Sequence, residues 1–359
     1  MSKVVVKNSD FDNLPEAISG IFEELNIDLK GKSVLIKPNF AASVGPVKSA
    51  ITDQRVVKAV LDECLKQTDN VVIGENPGNM DTGAMHCIEA SGMLELASDY
   101  YENISKEAEF VDIGSKIIPN AFLSKKISSV DYVINIPKMK THVLTGVSCC
   151  VKNLFGYVVG AIKSRYHLES KSAKGLTQFF IDLYKYKTPY LNIIDAIYAM
   201  EGGGPTHGDT RHVGKIIGCT NGVEGDAVIT KMVDGEPRHI HGLVMAHDQG
   251  LGEIDIDKID VVGDFEVLPE FKRPPTFDKI HTEFNPYEEI TKITPTIDES
   301  KCTVCQLCAE ESCPADAIDF EPGYANINTD KCISCYCCVE FCPEAALSVE
   351  YQKDFYEIA

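Results

Sequence analysis

Cys302-Thr-Val-Cys305-Gln-Leu-Cys308-Ala-Glu-Glu-Ser-Cys313-Pro314 and Cys332-Ile-Ser-Cys335-Tyr-Cys337-Cys338-Val-Glu-Phe-Cys342-Pro343 hold nine of the fourteen cysteines of this 359-residue chain. The first reads C-x2-C-x2-C-x4-C-P and the second C-x2-C-x2-C-x3-C-P, with Cys337 outside the spacing. A cube-shaped iron–sulfur cluster takes four thiolates, and two-residue spacers let three of them converge from one tight loop. Zinc also uses C-x2-C pairs, but two consecutive triplets, each closed by Cys-Pro, are not a zinc spacing. Disulfides would require an oxidising compartment. The pattern predicts two [4Fe–4S] clusters and a protein that handles electrons.

The two runs form an internal repeat in which Pro314 maps to Pro343 and Ile318 to Leu347. Residues 294–350 resemble a bacterial-type two-cluster ferredoxin domain. In such domains the last Cys of each run serves the other cluster. The resemblance implies that Cys302, Cys305, Cys308 and Cys342 bind one cluster, and that Cys332, Cys335, Cys338 and Cys313 bind the other. The extra residue before Cys313 lies between ligands of different clusters, so it should lengthen the connecting turn and spare both sites.

The remaining cysteines, Cys64, Cys87, Cys149, Cys150 and Cys219, sit among apolar residues and read as buried thiols. Cys149 and Cys150 read as core thiols beside Lys152. No signal stretch opens the chain and no run of 18 apolar residues exists, so neither export nor a membrane span is expected. Many thiols without a signal point to a reducing cytoplasm, and oxygen-labile clusters to an anaerobic host. A net charge of −20 argues against nucleic acid. Residues 297–350 carry eleven acidic residues against two lysines, a formal −9. That face could dock a basic soluble redox partner, a ferredoxin or a reductase.

Upstream, β-branched runs recur: Val4–Val6, Val34–Ile36, Val71–Ile73, Tyr132–Ile134, Leu191–Ile194, Val213–Ile217 and Ile259–Val262. Amphipathic stretches lie between several of them: Leu14–Leu25, Val56–Leu65 with Thr52 as N-cap, and Leu176–Tyr184. The alternation predicts an α/β domain with a covered, largely parallel sheet over 1–265. A packed linker over 266–293, the cluster module over 294–350 and a tail over 351–359 complete the chain.

Ligands of such sheets gather where strands end at their carboxyl edges. After Ile36 comes Lys37-Pro38-Asn39. After Ile73 comes Gly74-Glu75-Asn76-Pro77-Gly78. After Ile136 comes Pro137-Lys138-Met139-Lys140-Thr141-His142, and after a strand ending near Asp195 comes Glu201-Gly202-Gly203-Gly204-Pro205. The 37 residues from Tyr132 to Leu168 contain no acid but hold Lys138, Lys140, Lys152, Lys163, Arg165, His142 and His167. In so acidic a chain this predicts an electropositive pocket for phosphate or carboxylate, with Gly202, Gly203 and Gly204 adding backbone N–H donors. No Walker A run or strand–GxGxxG–helix pattern supports a standard nucleotide fold. The pair His239 and His241 reads as surface or supporting residues.

These same blocks, with Thr145-Gly146-Val147, Lys152-Asn153-Leu154-Phe155-Gly156, Gly225-Asp226-Ala227-Val228 and Gly250-Leu251-Gly252-Glu253, resemble the domain-of-unknown-function 362 family over about residues 30–265. Gly203 departs from it, standing where an Asn is expected in many relatives. The leading reading is an iron–sulfur oxidoreductase, or an electron-transfer protein taking electrons from a soluble donor to an anionic substrate or cofactor. Lys37, Lys138, Lys140 and Lys152 would clamp the anion and Asn39, Asn153 and Thr145 would orient it. His142 is the first candidate general acid and Glu201 the second. Two other readings stay open: a non-redox enzyme with structural or oxygen-sensing clusters, and an electron carrier or adaptor that docks a partner protein. A homodimer is also compatible with the sequence.

Overall fold

The structure, a computed structural model, describes residues 2–40, 49–77, 83–160, 162–274, 277 and 294–349. Eleven strands belong to the N-terminal domain: β1 (Lys3–Asn8), β2 (Val34–Lys37), β3 (Val71–Ile73), β4 (Ala108–Asp112), β5 (Asn120–Ser124), β6 (Tyr132–Asn135), β7 (Lys138–His142), β8 (Gly146–Ser148), β9 (Leu191–Glu201), β10 (Asp209–Cys219) and β11 (Asp260–Gly263). Nine of them make one sheet in the order β11-β1-β10-β9-β6-β2-β3, with β7 beside β9 and β8 beside β7. The pairs β1–β11, β2–β3, β2–β6, β6–β9 and β7–β9 are parallel; β1–β10, β9–β10 and β7–β8 are antiparallel. The sheet is therefore mixed and mostly parallel. The apolar runs are its centre: Val34 to Ile36 and Leu191 to Ile194 are all at most 1% exposed.

The helices are α1 (Leu14–Glu24), α2 (Gln54–Leu65), α3 (Gly83–Ala90), α4 (Met93–Ala97), α5 (Lys125–Ser129), α6 (Cys150–Asn153), α7 (Ile162–Glu169), α8 (Ala173–Tyr186), α9 (Gly222–Met232) and α10 (His241–Asp248), then α11 (Cys337–Phe341) in the cluster module. Two apolar clusters divide them. One gathers residues of α1, α2 and α4 with the strands, and the other residues of α8, α9 and α10. The cap of α2 is one residue later than expected: Asp53 accepts from the Arg55 N–H at 2.9 Å. Thr52 instead accepts from the Asn39 N–H at 2.9 Å and donates to the Ile136 carbonyl at 2.6 Å, tying β2 to β6.

Two segments expected to be loops are strands. Lys138–His142 is β7, buried at every position, and β9 continues past Asp195 to Glu201. The long β9 gives β7 a parallel partner, so the basic run is held inside the sheet.

The module carries two small sheets, β12 (Thr296–Ile297) with β15 (Leu347–Ser348) and β13 (Ile318–Glu321) with β14 (Tyr324–Ile327). Its own apolar cluster includes Cys308, Ile318, Tyr336, Val339, Cys342 and Leu347, and Val143 of the α/β domain completes it. The expected lengthening of the first run is visible: Cys308–Ser312 forms a wide π-helical turn where the second run has the ordinary turn of α11. Of the expected linker, Leu268, Phe271 and Phe277 are buried in the core of the α/β domain. Residues 278–293 and the tail 351–359 lie outside the described residues. Among the described residues no helix is long and apolar enough to cross a membrane.

Candidate functional site

Each cysteine loop is wound by left-handed residues at matching places. Val304 and Gln306 have φ of 56° and 67°, and Ser334 and Tyr336 have φ of 52° and 60°. Such angles are unfavourable for non-glycine residues, most of all for β-branched Val304, and fold each loop back on itself. Cys302, Cys305, Cys308 and Cys342 face one small void of about 20 Å³, closed by Phe320, Ala346 and Leu347. Cys332 and Cys338 each have both Cys335 and Cys313 as electrostatic neighbours. Backbone N–H groups of Ala317, Ser334 and Ala346 point at the sulfurs of Cys313, Cys332 and Cys342 at 3.3, 3.4 and 3.2 Å. Four soft donors turned to a dry void, with N–H groups aimed at sulfur, fit an iron–sulfur cluster.

The cleft of the α/β domain opens directly against this module. It has about 90 Å³ of room and is lined from β2 by Asn39 and Phe40 and from β3 by Glu75 and Asn76. Lys140 of β7, Lys152 and Asn153 of α6, Phe155 and Gly156 after it, and Lys163, Ser164 and His167 of α7 form the walls. Pro205 and Thr206 enter from the loop after β9. Cys337, Glu340 and Phe341 of α11 close the remaining side. Asn39 and Glu75 follow the carboxyl ends of parallel strands, where α/β sheets leave room for ligands.

Hydrogen bonds hold this wall in place. Lys140 Nζ donates to Asn39 Oδ1 at 3.0 Å and to the Ala50 carbonyl at 2.8 Å. Asn39 donates to Asn153 Oδ1 at 2.8 Å, and Asn153 donates to Asn135 Oδ1 at 2.7 Å. Lys163 Nζ donates to the carbonyls of Asn76 and Pro77. Lys152 lies 5.6 Å from the Phe180 ring centre, and its nearest opposing charge is Glu340 of the module. Burial pushes the ammonium of Lys140 down to about 7, with Lys152 adding to the fall. Burial likewise brings Lys163 to about 8, against the pull of Glu75, and lowers Lys152. Cations perturbed by burial and gathered in one cleft make it a candidate functional site.

Several predicted site residues are elsewhere. Lys37 is fully buried and paired with Glu75 at 2.5 Å, beneath the cleft. A Cβ at position 156 would lie 2.1 Å from Glu75 Oε1, so glycine there makes room for this pair. Lys138 is bound to Asp195 at 2.8 Å inside the sheet and is not free to hold an anion. Thr145 caps its own hairpin by donating to the Val147 carbonyl at 2.9 Å. Gly202 donates to the Lys272 carbonyl and Gly204 to that of Gly202, and none of Gly202, Gly203 and Gly204 lines the cleft, which this loop reaches only through Pro205 and Thr206. Glu201 is paired with Arg211 at 3.2 Å and accepts from the Lys272 N–H at 3.1 Å.

His142 is wholly buried between the two domains. Its Nδ1 accepts from the Leu144 N–H at 3.0 Å, which leaves the proton on Nε2, 3.2 Å from Glu340 Oε1. Burial and Lys152 bring its pKa down to about 4; it does not line the cleft itself and stands as a contact between the two domains behind Glu340. Thr206 adds a second tie by donating to the Glu340 carbonyl at 2.9 Å. Glu75, Asn76, Ser164, Thr206, Cys337 and Glu340 were not singled out as site residues by sequence. Lys163 and His167 had a signal, since both fall in the acid-free run. Glu340 had none, because only docking brings it to the cleft.

Comparison with known proteins was made on this geometry. The family described as Domain of unknown function (DUF362) matches residues 34–231, and the 4Fe-4S dicluster domain matches residues 294–343. A thylakoid-associated protein of Synechocystis sp. is 33% identical over 225 residues, 62% of this chain and 68% of that protein. An uncharacterized ferredoxin of Methanocaldococcus jannaschii is 43% identical over 51 residues, 13% of this chain and 31% of that protein. The lactate racemase apoprotein of Thermoanaerobacterium thermosaccharolyticum aligns with a TM-score of 0.43 at 13% identity, over 65% of this chain and 57% of that one.

Proposed function

The chain belongs to the DUF362 family and carries a ferredoxin-type 4Fe-4S module, and from that premise we propose that it passes electrons from a soluble donor to a small anion held between its two domains. The observation that carries this reading is the shared cleft. Lys140, Lys152 and Lys163 stand on one side, and Cys337, two residues from the ligand Cys335, stands on the other. Two clusters held by the eight repeat cysteines would each exchange one electron at a time. The role of the chain is then to bind, orient and keep dry. Lys152 meets the anionic group, and Lys140 and Lys163 supply further charge. Asn39 and Asn153 are fixed by their mutual hydrogen bonds and set the orientation, while Phe155 and Phe341 limit water. Neither His142 nor Glu201 is assigned a proton-transfer role.

Iron and sulfide analysis of anaerobically prepared protein should give about eight irons per chain, and Cys337→Ser should leave that number unchanged. Sulfate or phosphate added to the reduced protein should alter one cluster's EPR signal, and Lys152→Ala should abolish that response. Four irons only would sink the two-cluster assignment. A spectrum indifferent to anions would sink the link between cleft and module.

A further inference from the structure

Two of the five cysteines outside the repeats converge on one carboxylate, and a third stands beside them. Cys149 precedes α6 and Cys150 begins it, Cys219 ends β10, and Asp226 lies in α9. The sulfurs of Cys149 and Cys150 and a carboxylate oxygen of Asp226 all lie within 4.8 Å of one another. Cys149 and Cys219 are both electrostatic neighbours of the Cys150 thiol. A Cβ on Gly225 would stand 2.5 Å from the Cys219 sulfur and 3.4 Å from that of Cys150. The turn that brings Asp226 up is therefore pressed against both thiols. All four residues are buried, with exposures of 2%, 0%, 0% and 8%.

We propose that Cys149, Cys150 and Asp226 form a second metal site, separate from the ferredoxin module, for one thiophilic cation of the Zn2+ class, with Cys219 beside Cys150 as the source of a fourth ligand. Buried thiols alone would be ordinary packing. Asp226 alone would be ordinary capping, since it accepts from the N–H groups of Cys150 at 2.6 Å and Val151 at 3.0 Å. The convergence of two thiols at the start of α6 with a carboxylate of α9 is not required by either role. A carboxylate has about four acceptor positions, so two N–H bonds leave room for a cation. With metal–sulfur bonds of about 2.3 Å and a metal–oxygen bond of about 2.0–2.2 Å, tetrahedral ligand atoms stand about 3.3–3.8 Å apart. Closing the present arrangement takes shifts of about an ångström. Thiolates favour soft ions, and the mixed sulfur and oxygen donors suit zinc. Binding would exchange the thiol protons of Cys149 and Cys150 for one Zn2+ held with the Asp226 carboxylate, and no electron moves. The site lies under α6, which carries Lys152 and Asn153 of the cleft. Its ion would fix that helix without touching the ligand, and the inference does not depend on the electron-transfer reading.

Anaerobic full-length protein with its iron loaded, exposed to Zn2+ and freed of loose metal, tests this. The expected result is about one zinc per chain beside an unchanged iron count, with sulfur and oxygen neighbours at the zinc X-ray absorption edge. Cys149→Ser/Cys150→Ser should lose the zinc and keep the iron. If that variant fails to fold, the near-isosteric Asp226→Asn should weaken zinc retention at least tenfold with iron unchanged. Zinc well below one equivalent, or zinc kept by these variants, would overturn the proposal.

Discussion

Lys138 and Lys152 look alike in the sequence and do different work. Lys138 is 2% exposed and bound to Asp195, which also accepts from the Asp53 N–H at 2.8 Å. Removing one partner of a buried ion pair strands the other, at a cost of about 3–5 kcal/mol. Lys138→Ala should therefore lower the free energy of unfolding by that much, read by urea denaturation, before any effect on ligands is considered. Lys152 has no such partner in the sheet, and Lys152→Ala should weaken sulfate binding by at least about 1.5 kcal/mol, the low end for a charge-assisted hydrogen bond. The pH dependence follows from Lys140 at about 7 and Lys163 at about 8. Each is a cation below its value and neutral above it, so anion binding is favoured on the acid side and lost as pH rises. Sulfate keeps its charge across this range, and its affinity should fall about tenfold between pH 6.5 and 8.5 by calorimetry. A flat profile would remove both lysines from the site.

At the scale of elements, the parallel β7–β9 pairing turns a basic stretch into a buried strand and decides which lysines reach the cleft. Lys138 is opposite Asp195, whereas Lys140, past a register shift, is opposite Met200 and turns to Asn39. Helix α2 buttresses the same region through its cap, where Asp53 bonds the Arg55 N–H and is also bridged to its guanidinium at 2.7 Å. Asp53→Ala should cost about 1 kcal/mol, the usual value of a lost N-cap, in thermal or chemical unfolding. A loss near zero would mean that the Arg55 bridge and the cap contribute nothing net. In the module, the π-helical turn Cys308–Ser312 absorbs the extra residue of the first run, and Ser312 donates back to the Leu307 carbonyl at 3.0 Å.

For the whole molecule, the decisive feature is that the module is seated on the α/β domain. Val143 enters the module's apolar cluster, His142 and Thr206 meet Glu340, and Phe277 is buried against the α/β core. Val143→Asp would put a charge into that apolar seat with no cation paired to it, which costs several kcal/mol. Limited proteolysis should then release the module from the variant while the parent chain resists. Equal cleavage of both would mean that the seat contributes little. Phe277→Ala tests the anchoring of the linker on the α/β core instead, with an expected loss of about 3–5 kcal/mol in unfolding for a fully buried aromatic.

By itself the sequence determined the class of the fold and of the module. Apolar runs such as Val34–Ile36 must be buried, and alternation with amphipathic helices leaves few architectures besides a covered, mostly parallel sheet. Cysteine spacing names a cluster ligand because the chemistry is local to one loop. The cleft was legible as a charge anomaly between Tyr132 and Leu168 and as a set of strand ends. Which of its lysines are free depends on Asp195, Glu75 and Glu340, all distant in the chain, and on a strand register that composition does not encode. The convergence of Cys149 and Cys150 with Asp226, and the arrival of α11 at the cleft, belong wholly to tertiary structure. Both are made by surfaces that meet only after each element has formed, since long-range packing is what sets distances between side chains far apart in sequence.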